Sequence, residues 1–107
     1  VKAWAFHPHN TRGMGLANTL AALQAGIQKV DASLAGIGGC SVFKNASGNI
    51  STEDLVYLLD GMGIETGVRM EPLLRAGQTV EKLVGGPNCD SYLQRLEKLK
   101  KSGQEIE

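Results

Sequence analysis

Long apolar runs and net charge are both missing from this sequence. No stretch approaches the roughly 20 apolar residues that a bilayer demands, which excludes a membrane-spanning helix. The N-terminus also lacks the basic-then-apolar order of a signal peptide. Basic and acidic side chains balance at 11 each, so no field of one sign draws the chain to nucleic acid, an anionic membrane or acidic substrates. Any anion must be held locally. Cysteine is scarce, with only Cys40 and Cys89, too few for a disulfide framework and too far apart for a close-spaced zinc or redox motif. Internal repeats and low-complexity segments are absent too. What remains is a chain of 107 residues, 42% hydrophobic, enough to bury the modest core of one globular domain. The expectation is a soluble intracellular protein, cytoplasmic or, in a eukaryote, of the mitochondrial matrix. The chain opens on Val1 rather than methionine and is in a strand-like pattern within a few residues, so it is expected to be a piece of something longer.

The segment AWAFHPH alternates, placing Ala3, Ala5, His7 and His9 on one face of a strand and Trp4 and Phe6 on the other. Pro8 removes a backbone donor, which places the strand's C-terminal edge there. Leu16, Ala17, Leu20, Ala21 and Leu23 recur at helical spacing, predicting a helix over 11–24 that stops at Gly26. KVDASLAG predicts a second strand, and strand–helix–strand at this spacing is a βαβ unit with parallel strands. A glycine-rich loop follows, with Gly36, Gly38, Gly39 and Gly48. Ser51 and Asp54 have the spacing of a capping box before the stripe Leu55, Val56, Leu58, Leu59 and Met62, and that helix ends near Gly63. Pro72 suits a first helical position ahead of Leu73, Leu74, Val80, Leu83 and Val84, and Gly85-Gly86-Pro87 stops that helix. A last helix, capped by Asp90 or Ser91, carries Leu93, Leu96 and Leu99.

The chemistry-bearing residues gather near the strand ends. His7 and His9 lie about 7 Å apart along one strand face, a separation from which both reach one metal ion. His-x-His alone is more often incidental than ligating, and it cannot name a metal. Its placement at a strand's C-terminal end, where parallel α/β folds gather ligands, favours a site. Cys40 falls on the same end of the sheet if the strands are parallel. The plain alternative is a small buried apolar residue. Asn49, by pattern alone, is a turn or cap residue.

Three stretches, FHPHNTRGMGLANTLAALQAG, DASLAGIGGC and ASGNISTEDLVYLLDGMGIETGV, resemble the C-terminal part of the hydroxymethylglutaryl-CoA lyase family. The resemblance runs from about Ala5 to Leu74 and fades beyond; from about Gly85 onward it matches nothing. It implies the last two βα units of a (β/α)8 barrel over 1–84, with a glycine-rich catalytic loop at 36–49 and a C-terminal helical extension over 85–107. On this resemblance His7, His9 and Asn49 are ligands of a divalent metal, Mg2+ or Mn2+. Cys40 is the proton-moving cysteine of the signature loop, and Gly38, Gly39 and Gly48 shape that loop or meet substrate. Two departures stand out. The family usually has aspartate after the second histidine, where this chain has Asn10, a residue typical of related pyruvate aldolases and acyl-transferring synthases. After Cys40, the usual proline and aromatic give way to Ser41, Val42 and Phe43.

The implied reaction cleaves 3-hydroxy-3-methylglutaryl-CoA to acetyl-CoA and acetoacetate, with an acyl-CoA as the small-molecule partner. One alternative is cleavage or condensation of another hydroxy acid, favoured by Asn10. Another is a non-catalytic truncated remnant that folds by association. In the family an acidic metal ligand and an arginine come from the barrel's first strand, and no stretch here matches that motif. A complete barrel takes about 250 residues, so the chain is expected to self-associate or dock on a missing N-terminal part, and to be inactive alone.

Overall fold

The computed structural model describes residues 3–38, 48–85 and 89–103. Strand β1 (Ala5–Phe6) runs parallel to β2 (Lys29–Val30), with Ala5 opposite Lys29 and Phe6 opposite Val30. Asp31 N–H continues the ladder to Phe6 O at 2.9 Å. Helix α1 (Gly15–Gln24) connects them, so the expected βαβ unit with parallel strands is present. Three more helices follow, α2 (Thr52–Gly61), α3 (Met70–Val84) and α4 (Tyr92–Lys101). The architecture is α/β, with two parallel strands and four helices among the described residues.

Both strands are shorter than the alternation predicts, for local reasons. Beyond β2, Ser33 pairs with Ser51 rather than with the first strand, and the backbone then turns through Ala35 and Gly36, at φ 55° and 67°, a left-handed pair through which no extended strand continues. Helix α1 likewise begins at Gly15 rather than Thr11, because Arg12 and Gly13 hold φ of 52° and 74°. Gly15 itself has no room for a side chain: a Cβ there would collide with Ile50 Cγ2.

The helix ends follow their sequence signals closely. At the end of α1, Ile27 N–H bonds Ala22 O at 3.0 Å and Gly26 N–H bonds Leu23 O at 3.0 Å. At the end of α2, Ile64 N–H bonds Leu59 O at 2.9 Å and Gly63 N–H bonds Asp60 O at 3.0 Å. Each is a paired closure around a left-handed glycine, which satisfies carbonyls the helix leaves open. Ser51 caps α2 by accepting Asp54 N–H at 3.0 Å. Asp54 does not behave as the return half of a capping box. Its carboxylate accepts from Tyr92 N at 2.9 Å, Leu93 N at 3.0 Å and Ser91 Oγ at 3.2 Å, so it caps α4 from a neighbouring helix. Pro72 is the third residue of α3 rather than the first. It is tolerated there because the first N–H groups of a helix have no partner within it.

Among the described residues the apolar core is small: Ala35, Ile50, Leu55, Val56 and Leu73. Beside it lies a buried polar set of Thr19, Ser51, Glu53, Glu81, Ser91 and Gln94. Most buried polar groups are bonded, and within this set Glu53 and Gln94 bond each other. The Glu53 carboxylate accepts Ala35 N–H at 2.9 and 3.1 Å and Gln94 Nε2–H at 2.8 Å. Gln94 also donates to Leu74 O at 2.9 Å. Helix α4 therefore anchors through a buried glutamine, while Leu99 on its predicted stripe stays exposed.

Candidate metal-binding site

Beyond β1 the chain carries His7, Pro8, His9 and Asn10 off the strand's C-terminal end. There it meets residues 48–51 rather than β2. Asn10 N–H bonds Gly48 O at 3.0 Å and Ile50 N–H bonds Pro8 O at 3.3 Å. These two bonds flank an antiparallel bridge that sets His9 opposite Asn49. In a pair flanked this way the two residues exchange no backbone bonds, and their side chains approach closely. On its other edge the same segment meets the end of β2, with Ser33 N–H bonded to Ile50 O at 3.0 Å and Thr52 N–H to Ser33 O at 2.8 Å. Residues 48–51 thus tie together the C-terminal ends of both strands.

The imidazoles of His7 and His9 lie edge to face, with centroids 5.3 Å apart and planes at 77°. His7 Nδ1 faces Asp31 Oδ2 at 3.8 Å, which leaves Nε2 for another partner. Asn49 donates its amide hydrogen to Ile37 O at 3.1 Å. Its Oδ1 is buried and has no hydrogen-bond partner among the described residues. A buried amide oxygen left unpaired costs about 1–3 kcal/mol, so an oxygen in this state is either a defect or an acceptor kept for something. Gly38 faces the same amide, and a Cβ there would come within 2.7 Å of Asn49 Nδ2. Gly48 lies against the carbonyls of Gly36 and Gly38, where any side chain would collide. His7, His9, Asn49, Gly38 and Gly48 are therefore gathered at one edge. Cys40 and Gly39 fall outside the described residues.

Two imidazole nitrogens and an amide oxygen fit a divalent cation in part. A cation such as Mg2+ or Mn2+ favours oxygen ligands and about six of them, so three donors from this chain leave positions for other groups. No group of three or more His, Cys, Asp or Glu residues forms a complete metal site among the described residues.

Sequence reasoning passed over the groups that hold this edge in place. Glu53 fixes the left-handed turn at Ala35. Asp90 contacts Asn10 and Ala35, with Asn10 Nδ2 donating to Asp90 Oδ2 at 3.0 Å and Asp90 N–H to Ala35 O at 2.8 Å. One signal was legible: Gly77 sits in the middle of α3, and an interior helical glycine marks a close approach. Here a Cβ would collide with Glu53 Oε2 and Gln94 Nε2.

Fold and site together define a class: an α/β protein with paired imidazoles and a free amide oxygen at the C-terminal ends of parallel strands, the edge where such folds bind ligands. The chain belongs to the HMGL-like family, whose model matches residues 1–80. It is similar to the mitochondrial hydroxymethylglutaryl-CoA lyase of Mus musculus, 58% identical over 80 residues that make up 75% of this chain and 25% of the relative. The corresponding Arabidopsis thaliana protein is 51% identical over 84 residues, 78% of this chain and 18% of the relative. Among solved structures, the HMG-CoA lyase of Bacillus subtilis superposes with a TM-score of 0.80 at 44% identity, covering 88% of this chain and 31% of that one. An HMG-CoA lyase from Acinetobacter baumannii in complex with coenzyme A and 3-methylmalate superposes with a TM-score of 0.75 at 40% identity, covering 96% and 32%. The chain thus spans about a quarter of the length of the mouse relative it matches.

Proposed function

We propose that this chain forms the last two βα units of a (β/α)8 barrel and contributes to cleavage of 3-hydroxy-3-methylglutaryl-CoA into acetyl-CoA and acetoacetate. Family membership supports the reaction class. The observation that carries the site is the buried Asn49 Oδ1, unpaired and set opposite His9. In this reading residues 1–84 supply the barrel units and 85–107 a helical extension.

His7, His9 and Asn49 would hold a divalent cation, Mg2+ or Mn2+, which supplies Lewis acidity and a template for the substrate's hydroxyl and carboxylate oxygens. Asp31 lies on the Nδ1 side of His7, 3.8 Å away, which leaves Nε2 as the nitrogen open to a metal. As the carbon–carbon bond breaks, its electron pair passes to the acetyl-CoA carbon, and the hydroxyl proton leaves to a base. Cys40 would then give its thiol proton to that carbon, a step within a thiol's ordinary acidity. Gly38, Gly39 and Gly48 would shape the loop that carries Cys40 or meet the substrate.

The remaining ligands would come from the rest of the barrel, either the N-terminal part of the same protein or another copy. The names of several relatives include the word mitochondrial. We place this protein in the cytoplasm or the mitochondrial matrix, reducing compartments where Cys40 stays a thiol. No described helix is long and apolar enough to cross a membrane.

A second reading, cleavage or condensation of a different hydroxy acid, is favoured by Asn10. Acetoacetate and pyruvate release by the full-length protein, assayed side by side, separate the two. C40A is expected to cut acetoacetate release by orders of magnitude while Mn2+ binding is kept; near-normal turnover would remove Cys40 from the mechanism.

A further inference from the structure

Residues 89–94 lie beyond the stretch that the family model matches, yet their bonds go to the segments that carry the candidate site. Tyr92 N–H, Leu93 N–H and Ser91 Oγ bond Asp54, three residues after the bridge segment. Gln94 bonds Glu53, which holds Ala35 at the entrance to the glycine-rich loop. The backbone of Asp90 lies flat on Gly36, where a Cβ would collide with Asp90 O. The segment therefore acts as a strap across the strand ends, and Asp90 is the point where it reaches the histidine arm.

Asn10 is the residue that the strap grips. Its backbone N–H makes one of the two bonds that set His9 against Asn49. Its Oδ1 accepts Gly15 N–H at 3.2 Å, at the start of α1. Its Nδ2 donates to Asp90 Oδ2 at 3.0 Å. With the amide bonded on both its oxygen and its nitrogen side, the two contacts select one orientation of Asn10, and the bridge beside it is braced from α1 and from the strap. The carboxylate on Asp90 makes this a charge-assisted bond, stronger than one between neutral groups.

We infer that Asp90 is a positioning residue for metal binding: through Asn10 it holds His9 and Asn49 in register. This rests on the metal-site reading above. Such outer partners tune a metal ligand without touching the metal, and losing one typically lowers affinity about 10–100-fold. Asp90 acts one step further out and is solvent-exposed, so the smaller part of that effect applies.

The test is Mn2+ affinity of the full-length protein, read from the EPR signal of free Mn2+, for wild type, D90A, D90N, N10A and D90A/N10A, each with a thermal melt. D90A is expected to bind about three- to tenfold more weakly than wild type. D90N still offers an oxygen to Asn10 Nδ2 and is expected to bind within about twofold of wild type. The double variant is expected to be no weaker than N10A alone, since the path runs through Asn10. Should D90A not fold, D90S takes its place, because a serine hydroxyl is too short to keep the contact. D90A affinity equal to wild type, D90N as weak as D90A, or additive losses in the double variant would overturn the inference. Failure of the wild type to bind Mn2+ would overturn the metal-site reading itself, and this inference with it.

Discussion

The carboxylate of Glu53, in the first turn of α2, accepts the backbone N–H of Ala35 at 2.9 and 3.1 Å, and Ala35 holds a left-handed conformation five residues beyond the end of β2, just ahead of the glycine-rich loop. A left-handed alanine is uncommon and costs about 1–3 kcal/mol. It persists where surrounding structure fixes it, and Glu53 supplies that restraint from a fully buried position.

Replacing Glu53 with alanine is therefore expected to cost more than its lost contacts. Ala35 N–H would lose its acceptor and Gln94 Nε2 one of two, at about 1–3 kcal/mol for each buried donor left unpaired. A loss of about 3 kcal/mol in denaturant unfolding is expected. A loss below about 1 kcal/mol would show that this bond does not hold the loop entrance.

Gly77→Ala sets two effects against each other. On an exposed helix, alanine is favoured over glycine by about 1 kcal/mol. At Gly77 the new methyl would collide with Glu53 Oε2 and Gln94 Nε2, and overpacking a filled interior costs about 1–3 kcal/mol. The collision outweighs the propensity, because the displaced atoms are mutually bonded and buried. A lower melting temperature is the expected result; a higher one would mean that α3 shifts freely.

Cys89 is half-buried, its thiol facing Gly85 O at 3.6 Å. Burial pushes its pKa up, the carboxylates of Glu81 and Glu53 add to the rise, and Lys98 opposes it. The folded state thus holds the thiol proton more tightly than the unfolded chain. That advantage is fully present below the unfolded thiol's pKa of about 8.5 and is lost as pH rises through the folded value. C89S is expected to melt in parallel with wild type below about pH 8.5 and to decline less steeply above it. Parallel melting across the alkaline range would contradict the shift.

The sequence showed much of the fold because its signals were local. The Gly26-Ile27 and Gly63-Ile64 helix stops, the Ser51 cap and the strand–helix–strand order each depend on a few neighbouring residues. The candidate ligands were legible for another reason, since His7, His9 and Asn49 lie in stretches that resemble a known family. What was hidden depends on partners far apart in sequence. Asp54 reads as half of a capping box and instead caps α4, with bonds to Ser91, Tyr92 and Leu93. Asp90 reads as a possible helix cap and instead holds Asn10, 80 residues away. Gln94, an ordinary surface residue by pattern, is buried against Glu53. Strand lengths were overestimated because alternation carries no sign that His9 pairs with Asn49 and Ser33 with Ser51.

The central claim is that Asn49 Oδ1, unpaired among the described residues, is a metal ligand. Its most direct test is a Mn2+ titration of the full-length protein beside its N49A variant. Wild type is expected to bind one ion per chain, and N49A to bind at least about tenfold more weakly, the loss seen when even a partner of a ligand is removed. Equal affinity in the two proteins would contradict the claim and leave the buried oxygen of Asn49 without a role.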